Sequence, residues 1–239
     1  MFKGRKILCT ICARGGSKGI KNKNIRLLNG KPLIYYSIAV AKKCDYIDNI
    51  IVSTDSEEIA SIASSFGVEV PFMRPKELAL DHVGRVDVII HATSTFEAMK
   101  ETKWDLIVDL GVASPLRNVR DVKNAIELLV EKNADNVVSA TPSHRNPYFN
   151  MAEVDKAGKV SYSKQLPAKI TQRQDAPEVF DLNDSILVWT RETLFSDKDF
   201  FNDGSSLYIM PTERSVDIDT EIDFKIAECL IKDRRDLIS

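Results

Sequence analysis

Residues 13–24 hold the densest group of side chains that could bind a phosphate. An apolar run of strand length at residues 7–12 leads directly into this glycine-rich segment. Glycines let backbone N–H groups turn toward a ligand, and successive N–H groups in such a turn form a concave anion site. The turn also carries basic side chains and a hydroxyl: Arg14, Ser17, Lys18, Lys21 and Lys23. These features predict a polyphosphate-binding turn at the carboxyl end of a first strand.

Two common phosphate-binding motifs do not describe this turn. The P-loop pattern needs a lysine after its last glycine, whereas Gly19 is followed by Ile20. The spacing of Gly15, Gly16 and Gly19 also differs from the dinucleotide fingerprint. On these residues alone, an ordinary basic surface turn remains an alternative.

Asp217 and Asp219 form the second chemical feature. Residues i and i+2 of an extended segment point to the same face, and two neighbouring carboxylates repel each other. Mg²⁺ relieves this repulsion, because it binds one or two carboxylates together with phosphate oxygens and waters. The alternative is a helix-capping cluster, since Asp219 and Thr220 immediately precede a helical pattern at residues 221–233.

Strands and helices alternate over the first 140 residues, which places both features. Predicted strands cover residues 7–12, 49–54, 68–70, 105–111 and 136–141. Predicted helices cover residues 31–41, 57–66, 85–100 and 119–131. This order is typical of an α/β protein with three layers and a mostly parallel, Rossmann-like sheet. Ligands of such sheets bind at the carboxyl ends of the strands, where the basic turn also lies.

The alternation breaks at residues 142–181. Short strand-like pieces occur there, at residues 148–154 and 159–162, and further strands follow at residues 180–189 and 207–210. We therefore expect one domain over residues 1–239, with a small lobe inserted at residues 142–181.

The bulk composition excludes some classes of function. The 239 residues carry a formal net charge of −2, which provides no basic field for nucleic acid. No apolar stretch approaches the roughly 20 residues of a membrane span, and no signal peptide is evident, so a soluble cytoplasmic protein without a membrane partner is expected. Cys9 and Cys12 lie in the first apolar run and are interpreted as small core residues.

Six short motifs in order along the chain resemble the acylneuraminate cytidylyltransferases, the CMP-sialic acid synthetases. They are ARGGSKG at residues 13–19 with Lys23 and Asn24, VSTD at 52–55, RPKELA at 74–79, SPLR at 114–117, RQDAP at 173–177 and SVDIDTE at 215–221. Because these motifs cover nearly the whole chain in register, they are far more specific together than any one alone.

The resemblance implies a fold like that of the nucleotide-diphospho-sugar transferases, with the lobe reaching across a homodimer. It implies that CMP passes from CTP to a nine-carbon 2-keto sugar acid, with pyrophosphate released. The implied nucleotide-binding residues are Ala13, Arg14, Gly15, Gly16, Ser17, Lys18, Lys23, Asn24 and Arg74. The implied sugar-binding residues are Ser114, Arg173, Gln174 and Asn183. Mg²⁺ on Asp217 and Asp219 and the catalytic residues Arg14, Lys18 and Asp219 complete the expected site.

One departure from the family pattern concerns the acceptor. Sialic acid enzymes usually read LQPTSPLR where residues 110–117 read LGVASPLR, so Gly111 replaces a glutamine that contacts the sugar. The chain therefore looks more like the branch that acts on bacterial relatives of sialic acid, such as legionaminic acid.

Three alternatives stay open at this point. A KDO-type or 8-amino acceptor would use the same scaffold, and a catalytically silent nucleotide-binding dimer would not need the acidic pair. An oxidoreductase on a doubly wound sheet would need the G-x-G-x-x-G spacing that the turn does not show.

Overall fold

The computed structural model describes residues 1–17, 19–168, 171–196 and 200–232. Its central element is a six-stranded sheet in the order β10-β6-β9-β5-β1-β4. These strands are β1 (Ile7–Cys12), β4 (Asn49–Ser53), β5 (Leu106–Leu110), β6 (Asn136–Pro142), β9 (Phe180–Thr190) and β10 (Ser205–Ile209). The short strands β2 (Leu27–Leu28) and β3 (Lys31–Pro32) pair separately. Within the six-stranded sheet, β9 runs antiparallel to both neighbours and the other pairings are parallel.

The apolar runs of the strands explain why the sheet is buried on both faces. Alternate residues of β1 enter different cores, with Ile7, Cys9 and Ile11 in one and Leu8 in another. Neighbouring side chains of β5 also face different cores: Val108 belongs to the first core, and Ile107 packs on the opposite face of the sheet. A sheet covered on both faces by helices is the three-layer α/β arrangement that the sequence predicts, and this fold class is confirmed.

Six α-helices in the described part of the chain cover the two faces. They are α1 (Leu33–Lys43), α2 (Glu57–Ser65), α3 (Arg85–Lys100), α4 (Val119–Lys132), α5 (Arg191–Ser196) and α6 (Glu221–Ile231). α1, α2, α4 and α6 contribute to the larger core, whereas α3 and α5 pack on the opposite face. Side-chain caps begin three of them: Ser56 caps α2, Asn118 caps α4 and Thr220 caps α6.

The structure corrects the sequence analysis at four places. Residues 31 and 32 form β3 and not the start of a helix, and residues 148–150 lie in a turn and not in a strand. Residues 68–70 form no strand, because only a single parallel bridge joins Ile51 to Glu69. The six-residue helix α5 was not predicted, since it is too short to show a helical period. For α6, the predicted end at residue 233 lies outside the described residues.

Residues 142–181 leave the sheet at the end of β6 and return to it at the start of β9. Their described part contains a hairpin of β7 (Ala152–Val154) and β8 (Val160–Tyr162), whose residues are all exposed. Asn146 closes the segment by donating from Nδ2 to the carbonyl oxygen of Pro177 at 3.0 Å. We keep the name lobe for residues 142–181; its expected role in a dimer stays a prediction.

Among the described helices, none has both the length and the apolar character needed to cross a membrane.

Candidate active site

A cavity of about 470 Å³ opens at the carboxyl ends of β1 and β5. Five segments that are distant in sequence line it: the turn after β1, residues 74–88 before and at the start of α3, the segment after β5, the middle of β9 and the approach to α6. Their lining residues include Arg14, Ser17, Gly19, Lys23, Asn24, Gly111, Val112, Ala113, Asp184, Asp217 and Asp219. The cavity thus has the position expected for a ligand site of a parallel α/β sheet.

Close packing explains the glycines of the basic turn. The Gly15 N–H donates to Asp55 Oδ1 at 2.9 Å, and a Cβ on Gly15 would lie 3.1 Å from the Cβ of Ser56. A Cβ on Gly19 would collide with the carbonyl oxygen of Asp219. Glycine at these two positions therefore lets the turn approach α2 on one side and the acidic pair on the other.

Of the other predicted nucleotide-binding residues that the structure describes, most line the cavity and the rest lie in or beneath the turn. Arg14, Ser17, Lys23, Asn24 and Arg74 line the cavity. Asn24 also donates from Nδ2 to the Arg14 carbonyl oxygen at 2.9 Å, which ties the turn together.

Beneath these residues, Ala13 is fully buried and donates its N–H to the Ser53 carbonyl oxygen at 3.0 Å. Gly16 has open space around it. Lys18, which the sequence analysis made both nucleotide-binding and catalytic, lies outside the described residues.

The cationic side chains of the turn contact acidic partners across the cavity. Arg14 Nη1 lies 2.8 Å from Asp81 Oδ1, and Lys23 Nζ lies 3.0 Å from Asp219 Oδ1. Lys23 also donates to the carbonyl oxygen of Ile218 at 2.5 Å. The amino-terminal turn and the carboxyl-terminal acidic pair, which are almost 200 residues apart in sequence, are therefore in direct contact.

Asp217 and Asp219 both line the cavity but in different environments. Burial, together with the charges of Asp219 and Asp184, raises the pKa of Asp217 to about 6. Oδ1 of Asp217 is buried without a hydrogen-bond partner, whereas Asp219 is exposed and paired with Lys23. An unpartnered buried carboxylate oxygen is costly unless a ligand or cation satisfies it.

The alternative role of this pair, helix capping, is performed by other residues. Asp223 Oδ2 accepts from the Thr220 N–H at 2.7 Å, and Thr220 Oγ1 accepts from the Asp223 N–H at 3.3 Å. This reciprocal capping box begins α6. Asp217 and Asp219 are therefore not needed as caps.

The donor set of the acidic pair fits Mg²⁺ bound jointly with a substrate. Within the described residues, no group of three His, Cys, Asp or Glu side chains is arranged to hold a metal. A cation would thus have Asp217 and Asp219 as protein ligands and would take its remaining oxygens from phosphate and water, as Mg²⁺ commonly does.

A buried polar network that the sequence analysis missed supports the cavity from below. Thr10 Oγ1 donates to Asp109 Oδ1 at 2.6 Å, and Arg85 Nε donates to Asp109 Oδ2 at 2.8 Å. Arg85 Nη1 then reaches the carbonyl oxygen of Asp184 at 3.1 Å and its Oδ2 at 3.3 Å. Burial lowers the pKa of the Arg85 guanidinium, but Asp109 and Asp184 together raise it more, so Arg85 stays charged. The lone carboxylate of Asp109 inside an apolar strand was the signal for such a partner.

β9 contains a bulge where it passes the cavity. Its register against β6 shifts, so that residues 183–186 lie opposite Ser139. Ser139 Oγ donates to Asn183 Oδ1 at 2.6 Å and accepts from the Ile186 N–H at 2.8 Å, replacing ladder bonds that the bulge interrupts. Ser114 Oγ donates to the carbonyl oxygen of Asn183 at 2.6 Å.

These contacts place Ser114 and Asn183 behind the cavity floor. Both are buried, and neither is among the residues that line the cavity. Asn183 Nδ2 points to Ser215 Oγ at 3.0 Å. Asn183 was expected to bind the sugar; the neighbouring Asp184 lines the cavity in its place, and direct sugar contact by Ser114 and Asn183 stays a prediction.

Arg117 braces the same floor. It is fully buried and donates to Ser185 Oγ at 2.9 Å, to Ser37 Oγ at 2.8 Å and to the carbonyl oxygen of Gly111. Burial, together with the charge of Arg85, lowers the pKa of Arg117 to about 9. The arginine of the SPLR motif therefore holds β5, β9 and α1 together and does not reach the cavity.

Arg173 and Gln174 lie on the lobe. They belong to a 3₁₀ turn, Arg173–Asp175, that is exposed, and Arg173 Nη2 donates to the Ser143 carbonyl oxygen at 2.8 Å. Neither residue lines the cavity of its own chain.

The fold and the phosphate-type turn beside an acidic pair define a nucleotidyltransferase-like α/β protein. Among solved structures, the chain is similar to a CMP:2-keto-3-deoxy-manno-octonic acid synthetase complexed with CTP, with a TM-score of 0.69 and 15% identity. That likeness covers 96% of this chain and 99% of the other, and it supports the fold class.

The chain belongs to the cytidylyltransferase family, whose sequence model matches residues 8–232. It is 43% identical over 229 residues to post-translational flagellin modification protein B of Campylobacter coli, covering 96% of each chain. It is also 43% identical over 226 residues to the CMP-N,N'-diacetyllegionaminic acid synthase of Campylobacter jejuni, covering 95% of each chain. The family that the sequence motifs indicate is thereby confirmed.

Proposed function

We propose that this protein transfers CMP from CTP to the anomeric hydroxyl of a nonulosonic acid and releases pyrophosphate. One observation carries the proposal: the basic turn and the acidic pair meet at a single cavity, where Lys23 Nζ lies 3.0 Å from Asp219 Oδ1. This arrangement provides cations for a triphosphate beside carboxylates for a divalent cation, as a nucleotidyl transfer requires.

In the proposed reaction, the basic turn binds the triphosphate. Arg14 and Lys23 stabilise the negative charge that develops on the departing pyrophosphate, and Lys18 is assigned the same role from its place in the motif. The acceptor hydroxyl forms a new bond to the α-phosphorus in line with the bond to pyrophosphate, which breaks. Holding both reactants in one cavity supplies much of the rate enhancement.

Asp217 and Asp219 are the proposed ligands of Mg²⁺. When bound, this cation would neutralise phosphate charge and lower the pKa of an oxygen that it contacts. Asp219 is exposed at the cavity and is our candidate to accept the proton of the acceptor hydroxyl. Lys23, which pairs with Asp219 and contacts the Ile218 carbonyl, fixes the position of that carboxylate.

A legionaminic-type acid is the acceptor that we propose. The relative in Campylobacter jejuni is named for CMP-N,N'-diacetyllegionaminic acid synthesis and matches 95% of this chain. Gly111, which departs from the pattern of the sialic acid enzymes, lies on the cavity wall next to Asp184. Sialic acid and KDO-type acids are the acceptors against which this choice is tested.

We further propose that the protein works as a cytoplasmic homodimer in which the lobe of one chain reaches the cavity of the other. The exposed apolar side chains of the hairpin, including Val154, Val160 and Tyr162, support this proposal. So does the place of Arg173, which lies away from its own cavity and would meet the acceptor carboxylate in the partner's cavity.

Pyrophosphate release tests the function directly. The full chain is incubated with CTP, Mg²⁺ and each of legionaminic, sialic and KDO-type acids, and the CMP-sugar is identified by mass spectrometry. We expect release with the nonulosonic acids and the highest kcat/KM for a legionaminic acid. Release with none of these acids, despite CTP binding, would favour a silent nucleotide-binding dimer; release only with KDO-type acids would reassign the acceptor.

A further inference from the structure

We propose that Asp184 selects the sugar acid, by accepting hydrogen bonds from hydroxyl or acylamino N–H groups of the acceptor. This inference rests on the proposed function and deepens it, because it names the residue that distinguishes one acceptor from another. It draws on the position of Asp184 in the cavity, on the backbone that presents it and on the network that anchors it.

Asp184 is a cavity-lining carboxylate to which the proposed reaction assigns no other role. Four carboxylates line the cavity in the described part of the chain. Asp217 and Asp219 form the acidic pair, and Asp81 pairs with Arg14. Asp184 is 53% exposed and lies against Gly111, which contributes no side chain. An ionised carboxylate only accepts hydrogen bonds, so it recognises hydroxyl and N–H donors.

The backbone presents Asp184 in an uncommon conformation. Its φ of 47° lies in the left-handed region, which non-glycine residues seldom adopt. The residue sits in the β9 bulge, where Asn183 and Ser139 satisfy the interrupted ladder. Bulges beside active sites commonly re-aim one side chain, and left-handed residues held by their surroundings concentrate at functional sites. Here both features act on the same residue.

Arg85, which also lines the cavity, holds Asp184 in place and is anchored by a buried carboxylate. Arg85 contacts both the Asp184 carbonyl oxygen and Oδ2, and is itself held by Asp109, which has no solvent exposure. One guanidinium is thus shared between two carboxylates, which leaves Asp184 with capacity to accept further bonds. No described residue forms a hydrogen bond to Asp184 Oδ1 within the chain.

Gly111 and Asp184 are sterically linked. A Cβ at position 111 would collide with the Asp184 carbonyl oxygen and would lie 3.1 Å from Arg85 Nη2. A side chain at position 111 is therefore incompatible with this backbone of Asp184 and with this position of Arg85. At this part of the cavity wall, the polar side chain therefore comes from β9. Position 111, which follows β5, has no room for a side chain.

The sign of the charge limits what Asp184 can bind. The carboxylate of a sugar acid would be repelled by Asp184, so that group must point elsewhere in the cavity. The groups left to meet Asp184 are the uncharged donors by which nonulosonic acids differ from one another, namely hydroxyl and acylamino substituents. Asp184 therefore acts on acceptor choice and not on binding of the nucleotide.

Three variants test this role: Asp184→Asn, Asp184→Ala and Asp184→Gly. The asparagine is isosteric, and the glycine accepts the positive φ without strain, so loss of the carboxylate is separated from a change in backbone. Asp45→Asn is the matched control, because Asp45 pairs with Lys123 on an exposed surface outside the cavity. Steady-state pyrophosphate release is measured with CTP and acceptor varied separately.

We expect the acceptor KM to rise about tenfold or more in Asp184→Ala and Asp184→Gly, as for loss of a hydrogen bond to a charged group. The rise should be smaller in Asp184→Asn, whose carbonyl oxygen still accepts a hydrogen bond. The KM for CTP should stay within about twofold in the same variants, because the basic turn is unchanged. Acceptor analogues that lack one hydroxyl or the acylamino N–H identify the group that binds Asp184. The analogue that raises the acceptor KM of the wild type about tenfold should not raise the acceptor KM of Asp184→Ala further.

An unchanged acceptor KM in an active Asp184→Ala enzyme, which has no side-chain hydrogen-bond acceptor at this position, would overturn the inference while leaving the proposed function intact. Equal increases in the KM values for CTP and acceptor would also overturn it, since that result indicates a general disturbance of the cavity. A wild-type enzyme that is inactive with every acid would overturn the proposed function itself, so the two failures are distinguishable.

Discussion

The floor of the cavity consists of buried polar groups that hold one another, whereas the lobe consists of exposed strands with little interior. On the floor, Asp109 and Arg117 have no solvent exposure, and each is satisfied by several hydrogen bonds. In the lobe, Val154 and Val160 face each other across the hairpin and are 67% and 66% exposed. Two-stranded hairpins alone are marginally stable.

This difference has a consequence for how the protein is organised. A single chain positions the basic turn against the acidic pair, because the buried networks beneath them tolerate little displacement. In the proposed dimer, the partner chain would cover the exposed apolar side chains of the lobe. The floor would then be complete in one chain, and the lobe would be completed by a second.

The largest effect is expected for Asp219→Asn. Loss of this carboxylate should lower kcat roughly 100-fold or more, because it removes a proposed metal ligand at the cavity. Asp219 is exposed, so the circular dichroism spectrum and Tm should be retained. Asp45→Asn serves as the control that keeps full activity. Turnover near that of the wild type in Asp219→Asn would remove this residue from the mechanism.

The second prediction concerns stability. Arg85→Ala leaves Asp109 buried without its charged partner, and the free energy of unfolding should fall by roughly 3–5 kcal/mol. The matched change in the lobe is Lys164→Ala, which removes an exposed cation above the Tyr148 ring and should alter stability by about 0.5 kcal/mol or less. Urea denaturation measures both. Similar losses in the two variants would contradict the difference between floor and lobe.

The third prediction uses mixed dimers of Asp219→Asn and Arg173→Ala chains. If the lobe of one chain serves the cavity of the other, a mixed dimer contains one intact site and one doubly defective site. Refolding the two inactive chains together in equal amounts should restore about a quarter of wild-type activity, because half of the dimers are mixed and each has one working site. Activity no greater than that of the separate variants would place Arg173 in its own chain's site or outside the reaction.

The fourth prediction follows from the raised pKa of Asp217. Burial raises this pKa to about 6, above the value near 3.9 expected in the unfolded chain. Between about pH 4 and pH 6 the folded protein therefore holds more protons than the unfolded one, so stability falls as pH rises through this window and then levels off. At pH 7 without metal, Asp217→Asn should be about 1–2 kcal/mol more stable than wild type.

That advantage of Asp217→Asn should disappear at about pH 3, below the unfolded-state pKa, where the wild-type carboxyl is protonated in both the folded and the unfolded state. Adding Mg²⁺ at pH 7 should raise the Tm of the wild type and not that of the variant, because only the wild type offers the carboxylate. Thermal melts in EDTA and in Mg²⁺ measure both effects. A variant less stable than wild type at pH 7 would show that Asp217 is satisfied within the folded chain.

Local chemistry made part of this site predictable from the sequence. The glycine-rich turn and the acidic pair each occupy one short segment, and the apolar runs of β1, β4 and β5 identify their strands. Because parallel strands bring their carboxyl ends to one edge, the contact between Lys23 and Asp219 follows from the fold.

The remaining parts of the site depend on tertiary contacts. Arg85 begins α3, where a charged residue looks solvated, and its partner Asp109 is 24 residues further along the chain. Regular alternation along residues 180–189 would not reveal a bulge, so the sequence could not show that Asn183 turns inward and Asp184 toward the cavity.

The antiparallel strand β9 also has a consequence for how the chain is synthesised. It inserts between β5 and β6, which are both made earlier, so a nascent chain that ends before residue 180 leaves the facing edges of β5 and β6 without a partner. Unpaired strand edges of this kind recruit other chains during synthesis. Ribosomal pausing or truncation within the lobe is therefore expected to yield aggregates, and only chains that extend beyond β9 become competent for folding.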